Sequence, residues 1–278
     1  MAVALHPPGL LRVTLLLFRR EMRMRLASLW FYAAASLVCL LAWFYGGGFQ
    51  QSFRTESVLV AADPLATLDV LVVIFVALVL GLRLATAIAW EREHRTLEVL
   101  LVGPASHEAV VTAKFAVELC IFALLMAVYV LYLQVAQPLG PGIIDTGSAL
   151  AVARMPVHAL PVLALGLLVS AWARTVRGAV LAYLTLVVLL GVFEAVLGLL
   201  AARPPQELSL AAGYLRSAMQ AVSPLIEPLS PVAPLANLVR SMTQDTAPAA
   251  SQALTAIVLA LVLLALAAAV SRLRGAIA

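Results

Sequence analysis

Charged residues are scarce in this chain of 278 residues, at 12% of the sequence against 64% hydrophobic residues. This composition leaves too little polar surface to cover a soluble globule of the same length. The long apolar runs also lack the period-two alternation of barrel strands, so they should be helices that satisfy their own backbone groups in lipid. The sequence therefore predicts an all-α, polytopic membrane protein, with residues 1–278 forming one transmembrane domain.

Motifs for nucleotide binding and metal binding are also missing. The single lysine, Lys114, follows Val-Val-Thr-Ala rather than the glycine-rich loop of a nucleotide site. His107-Glu108 resembles the start of a zinc-protease motif, but the second histidine would have to stand where Val111 does. Both cysteines lie in apolar runs, which suits neither a disulfide nor a metal site. We expect no catalytic residue, cofactor or metal in this chain.

Apolar runs long enough to cross about 30 Å of hydrocarbon recur six times. The predicted spans are 29–45, 65–89, 110–136, 149–172, 178–201 and 253–270. Glycines 46–48 should end the first span. Residues 10–26 form an amphipathic helix in which Arg12, Arg19 and Arg23 recur at i, i+7 and i+11, and this helix should lie in the membrane interface. Seven prolines in residues 203–250 exclude one straight helix there, so we expect an outer cap of short pieces.

The distribution of basic residues predicts the orientation of the chain. Eleven arginines lie in the two termini and in the loops after spans two and four, against four on the opposite side. The positive-inside rule then places both termini in the cytoplasm. We expect a bacterial or archaeal plasma (inner) membrane. The net charge of +4 indicates attraction to anionic membrane lipid rather than to nucleic acid.

The most charged stretch, residues 90–107, separates spans two and three and is called the elbow below. Leu97, Leu100 and Leu101 fall at i, i+3 and i+4, which predicts a short amphipathic helix across the cytoplasmic membrane surface. A Gly-Pro pair then ends this helix, and Ser106 is typical of the N-cap of the next one.

The order of residues in the elbow carries a family resemblance. Glu91-Arg92-Glu93, then Thr96-Leu97-Glu98-Val99-Leu100-Leu101, and later Pro104 and Lys114 resemble the ERE-x-x-TLE-x-LL-x-x-P signature of ABC type-2 permeases. These permeases are the membrane subunits of ATP-driven exporters. Arg95 departs from the signature, because the family often has glycine before the threonine.

The resemblance implies a transport subunit that exports an unidentified substrate and is not itself an enzyme. ATP and Mg would bind to a separate ATPase, two copies of which would dock on the elbow of two paired permease chains, identical or different. The residues expected to dock the ATPase are Glu91, Arg92, Glu93, Thr96, Leu97, Glu98, Leu100 and Leu101.

Two other functions remain open at this stage. A membrane anchor that recruits an ATPase without moving a substrate would carry the same elbow, and reconstituted substrate movement would separate it from a transporter. An intramembrane acid/base or metal enzyme would use Glu91, Glu93, His94 and His107. These side chains fall at the headgroup boundary rather than inside a dry cavity, which favours the transport interpretation.

Four charges within the predicted spans are further candidates, because a charge in hydrocarbon is costly and is usually paired or faces water. Arg83 and Glu118 lie at similar distances from the elbow on consecutive antiparallel spans, so we predict that they pair, with Lys114 competing for Glu118 at i, i+4. Glu194 either marks a polar point in the substrate path, or it reaches the outer surface or pairs with Arg203. Asp69 is expected only to mark an outer boundary.

Overall fold

The computed structural model describes residues 10–56, 64–96, 106–136, 146–202, 209–230 and 250–275. Within these ranges the chain forms eight α-helices and one 3-10 turn, with no strand. The helices are α1 Leu10–Leu26, α2 Leu29–Glu56, α3 Pro64–Glu93, α4 His107–Ala136, α5 Thr146–Trp172, α6 Val176–Ala202, α7 Leu210–Ile226 and α8 Ala250–Gly275, and the 3-10 turn Glu227–Leu229 follows α7. The prediction of an all-α protein is confirmed for this part of the chain.

Four of these helices are long and apolar enough to cross a membrane: Leu68–Glu93, His107–Val135, Val176–Ala202 and Ala253–Leu273. The pair Leu11–Leu26 and Leu29–Phe44 meets the same test when its members are joined across a bend of 62°, which raises the number to five. In α5, the apolar helix Ala159–Trp172 is shorter. The described residues thus form a multi-pass membrane protein with four or five candidate spans, and the number six stays a prediction.

The amphipathic helix predicted over residues 10–26 coincides with α1, and the chain turns sharply after it. Ser28 accepts a hydrogen bond from the backbone N–H of Trp30 through Oγ at 3.3 Å, which satisfies one free donor at the start of α2.

The first predicted span differs from the structure at its C-terminal end. We expected residues 46–48, all glycine, to stop the helix, but α2 continues through them to Glu56. Each glycine disfavours a helix interior by only about 1 kcal/mol relative to alanine. That cost does not oblige a helix to end.

A close crossing of helices forms the centre of the fold. A Cβ atom on Gly166 of α5 would collide with the carbonyl oxygen of Gly81 in α3, and a Cβ on Gly81 would collide with the hydroxyl of Tyr183 in α6. Small residues let membrane helices approach backbone to backbone. The crossing joins α3, α5 and α6, and α8 also packs against α5.

The described part of the predicted outer cap is α7 with its 3-10 turn. Ser209 caps α7 by accepting a hydrogen bond from Ala212 N–H at 3.3 Å. Leu210, Tyr214 and Leu215 are exposed, so this helix presents apolar side chains that the described residues leave uncovered. The 3-10 turn packs against α5 and α8.

Candidate coupling site at the elbow

The site is built at the end of α3, where the helix stops at Glu93. The ring of His94 stacks on that of Trp90, with centroids 4.1 Å apart. Arg95 has a positive φ of 56°, the left-handed conformation that commonly terminates a helix. The hydroxyl of Thr96 then donates to the carbonyl oxygen of Glu91 at 3.2 Å. These contacts end the helix and fix the conformation of residues 94–96.

Arg92 ties the elbow to the end of α5. Its Nη1 donates to the carbonyl oxygen of Ala173 at 2.8 Å and to that of Ala171 at 3.3 Å, and Nη2 also donates to Ala171 at 3.3 Å. The last carbonyls of a helix have no partner within the helix and carry partial negative charge. The guanidinium therefore caps α5 with charge-assisted hydrogen bonds.

Glu93 makes the complementary contact with the start of α6. Its Oε2 accepts a hydrogen bond from the backbone N–H of Val176 at 2.9 Å. A carboxylate at a helix N-terminus meets free N–H donors and the positive end of the helix dipole. Arg92 and Glu93, adjacent in sequence, thus hold the two sides of the turn between α5 and α6.

Ser170 forms a second link between α3 and α5, less than two helical turns from the first. Its Oγ accepts the backbone N–H of Ile88 at 2.8 Å and that of Ala89 at 3.1 Å. The residue is fully buried. A buried hydroxyl that accepts hydrogen bonds from the backbone of a neighbouring helix stabilises the contact between the two helices.

Lys114 connects the elbow to the N-terminal helix. Its Nζ lies 2.8 Å from Oε1 of Glu91 and 3.0 Å from Oε1 of Glu21 on α1. Lys114 is only 5% exposed, so the two carboxylates supply the charge compensation that water would give elsewhere. We expected Lys114 to compete for Glu118, and its ion pairs in the structure are with Glu21 and Glu91.

The predicted pair of Arg83 and Glu118 is present. Nε of Arg83 lies 3.9 Å from Oε1 of Glu118, and Nε of Arg25 on α1 lies 3.4 Å from the same oxygen. The guanidinium of Arg83 also lies over the ring of Trp30, 3.8 Å from the ring centroid, a cation–π contact. Glu118 is 2% exposed.

These six side chains form an inner charge cluster: Glu21 and Arg25 on α1, Arg83 and Glu91 on α3, Lys114 and Glu118 on α4. The cluster holds three cations and three anions, so its formal charge sums to zero. Pairing of this kind offsets the cost of removing each charge from water.

Sequence reasoning missed the two members on α1, because it assigned that whole helix to the membrane surface. A signal for Glu21 is nevertheless present. It is the only acidic residue in α1, which carries five arginines.

Asp69 does more than mark a boundary. It is 3% exposed, and its Oδ1 accepts a hydrogen bond from the hydroxyl of Tyr129 on α4 at 2.6 Å. The expectation that Asp69 only marks an outer boundary did not include this contact. A buried carboxylate needs hydrogen-bond donors, and an aromatic residue in the middle of an apolar run does not reveal from sequence that it will supply one.

The remaining predicted residues lie elsewhere. Glu194 is partly buried on α6, away from the ends of that helix. Leu97, Glu98, Leu100 and Leu101 lie outside the described residues. Ser106 caps α4 as predicted, since its Oγ accepts from Ala109 N–H at 3.2 Å. Among the side chains that the structure describes, no group of three or more His, Cys, Asp or Glu could hold a metal ion.

Comparison with known proteins identifies the chain at the level of a family. A family model described as "ABC-2 family transporter protein" matches residues 15–273. The comparison with curated proteins returned no match.

Proposed function

Because this chain belongs to the ABC-2 transporter family, we propose that it is the permease subunit of an ATP-driven exporter. A separate ATPase subunit binds ATP and Mg, and this chain moves an unidentified substrate out across the membrane. One observation carries the coupling step: the base of the elbow is fixed to the helices that it must move. Glu91 contacts Lys114 of α4, while Arg92 and Glu93 bind the turn between α5 and α6.

These contacts allow a displacement of the elbow to reach several helices at once. Arg92 and Glu93 form hydrogen bonds with the termini of two helices, where backbone groups have no partner within the helix. Ser170 repeats the attachment less than two turns deeper. When nucleotide binding closes the two ATPase subunits, movement of the docked elbow is then shared by α3, α4, α5 and α6.

Two parts of the elbow have different roles: one part docks the ATPase, and the other transmits its movement to the helices. Glu91, Arg92, Glu93 and Thr96 lie at its base, three of them engaged with other helices and Thr96 with α3. Leu97, Glu98, Leu100 and Leu101 lie farther along and make the main contact with the ATPase, the leucines as anchors and Glu98 against a basic residue. A helix that only rested on the anionic inner leaflet would favour basic residues, whereas the elbow as a whole carries three glutamates against two arginines. Two permease chains and two ATPase subunits form the complete transporter.

Substitution of Leu100 by Asp tests the docking role. We expect the variant to insert and fold but to lose copurification of the ATPase after mild detergent extraction, because a charge replaces a buried anchor. Glu98→Lys should weaken the complex in a salt-dependent manner, since it reverses one partner of an ion pair.

A matched control is Leu210→Asp, which introduces the same charge at an exposed leucine of α7. This variant should retain the ATPase. Wild-type recovery of the ATPase by Leu100→Asp, at equal expression, would show that the elbow is not the docking site.

A further inference from the structure

Three arginines of α1 lie on one side of the helix, opposite its glutamate. At 3.6 residues per turn, Arg12, Arg19 and Arg23 lie within about 40° of one another, and Glu21 lies about 180° from their centre. The three arginines are exposed, whereas Glu21 faces the bundle and pairs with Lys114. The helix therefore has one side held by ion pairs and an opposite side that presents positive charge, called the basic side below.

Apolar residues flank the basic side. Leu11, Leu15 and Leu16 are exposed at 82%, 54% and 59%. A helix that exposes leucine beside arginine fits the boundary between acyl chains and headgroups, where each kind of side chain finds its own solvent. The 62° bend between α1 and α2 also turns α1 away from the direction of α2, as a helix lying along the membrane surface requires.

We propose that the basic side of α1 binds anionic phospholipid headgroups of the inner leaflet, and that this contact stabilises the position of the elbow through Glu21, Lys114 and Glu91. The importance of the elbow in this proposal rests on the proposed function. The occupant follows from charge complementarity: all the charges on this side are cationic, and the single acid of α1 lies on the other side.

The route to the elbow consists of two ion pairs that share one ammonium group. Nζ of Lys114 lies 3.0 Å from Glu21 and 2.8 Å from Glu91. With α1 bound to the membrane, Glu21 keeps Lys114 in place, and Lys114 keeps Glu91 at the base of the elbow. When α1 lifts away, Lys114 loses one of two carboxylates at a site that water barely reaches, and the elbow loses its tie to the membrane surface.

Hydrogen exchange of the full chain in nanodiscs tests the lipid contact. Nanodiscs of phosphatidylcholine alone are compared with nanodiscs that also contain phosphatidylglycerol, and exchange is followed in α1 and in residues 88–96. Phosphatidylglycerol should slow exchange in both segments. Each arginine near an anionic surface contributes roughly five-fold in affinity, so three contribute up to about 100-fold.

Three variants separate charge from structure. Arg12→Gln/Arg19→Gln/Arg23→Gln should lose the response to phosphatidylglycerol in both segments, whereas the corresponding triple change to Lys should keep it. The control Arg174→Gln/Arg177→Gln, which removes exposed arginines next to the turn between α5 and α6, should also keep it.

Glu21→Gln tests the connection to the elbow without touching the basic side. In this variant α1 should still respond to phosphatidylglycerol, but residues 88–96 should not. A lipid response of residues 88–96 that survives in Glu21→Gln would overturn the connection.

The lipid contact itself is overturned if wild type exchanges equally in both kinds of nanodisc, or if the triple Gln variant responds like wild type. It is also overturned if the copurified ATPase, added in phosphatidylcholine alone, protects α1 of wild type but not of the triple Gln variant, since the basic side would then bind the ATPase. Failure of the proposed function has a different signature: no ATPase binds in either lipid while α1 still responds to phosphatidylglycerol.

Discussion

Arg95 shows how one departure from a family pattern can be explained by backbone geometry. The ABC-2 signature often has glycine at this place, and the φ of Arg95 is 56°, a conformation that L-residues with a Cβ adopt at a cost. Glycine has no such penalty. The position therefore requires a residue in the left-handed conformation to end α3. In this chain that residue is an arginine, which is strained there.

The substitution Arg95→Gly should stabilise the protein. Relief of the left-handed strain contributes about 1 kcal/mol, partly offset by the greater freedom of glycine in the unfolded chain. Thermal unfolding of the purified chain in detergent measures the effect. Arg20→Gly is the control, because it places glycine at an exposed position in the interior of α1 and should destabilise by about 1 kcal/mol. If both variants lower the melting temperature alike, Arg95 is not strained.

At the same scale, sequence reasoning predicted contacts that depend on depth in the membrane and missed contacts that depend on tertiary packing. Arg83 and Glu118 could be paired because both are counted from one elbow along antiparallel helices. The roles of Arg92 and Glu93 could not be derived, because their partners are backbone groups at positions 171–176, and backbone groups leave no mark in the sequence. The same holds for Ser170 and the N–H groups of α3.

At the scale of elements, the inner charge cluster is what joins α1, α3 and α4 near the elbow. Hydrophobic periodicity predicted α1 with its correct bounds but could not indicate that one side packs on α4. The end of α2 was also beyond prediction, since glycines lower helix propensity without forbidding a helix. Apolar runs predict that a helix exists better than they predict where it ends or what lies against it.

The cluster predicts an order of stability among single substitutions. Glu118→Ala should destabilise more than Arg83→Ala, because it deprives both Arg25 and Arg83 of one shared carboxylate, whereas Arg83→Ala leaves Glu118 paired with Arg25. Removal of one partner of a buried pair costs about 3 kcal/mol. Thermal and denaturant unfolding in detergent provide the comparison.

The charge exchange Arg83→Glu/Glu118→Arg completes this test. It should recover part of the loss caused by Arg83→Glu or Glu118→Arg alone, since the pair is restored in the opposite sense. Recovery should be incomplete, because Arg25 then faces an arginine at position 118 in place of its carboxylate partner. A double variant no more stable than the worse single variant would contradict a direct interaction between positions 83 and 118.

At the scale of the whole molecule, the described helices and the family agree on a multi-pass membrane protein, while orientation follows from the charge distribution alone. The elbow, α1 and the turn between α5 and α6 lie together in the structure through Glu91, Arg92 and Glu93. They also hold nine of the eleven arginines assigned to the inner side. Three segments far apart in sequence thus form one basic, cross-linked end of the molecule, and the positive-inside rule predicts that this end faces the cytoplasm.

Labelling of single cysteines tests this orientation. In a background with Cys39 and Cys120 replaced by Ala, a cysteine at Ser106 should be protected from an impermeant thiol reagent added to intact cells, and one at Ser209 should react. Ser106 lies at the elbow, and Ser209 is exposed at the start of α7. Ser271 is unsuitable as a reporter, because at 2% exposure it would be protected on either side.

Permeabilised cells provide the control, since the cysteine at Ser106 must then react. Reaction at Ser106 in intact cells would reverse the orientation, and with the elbow outside the cell neither ATPase docking nor the inner-leaflet lipid contact of α1 would be tenable.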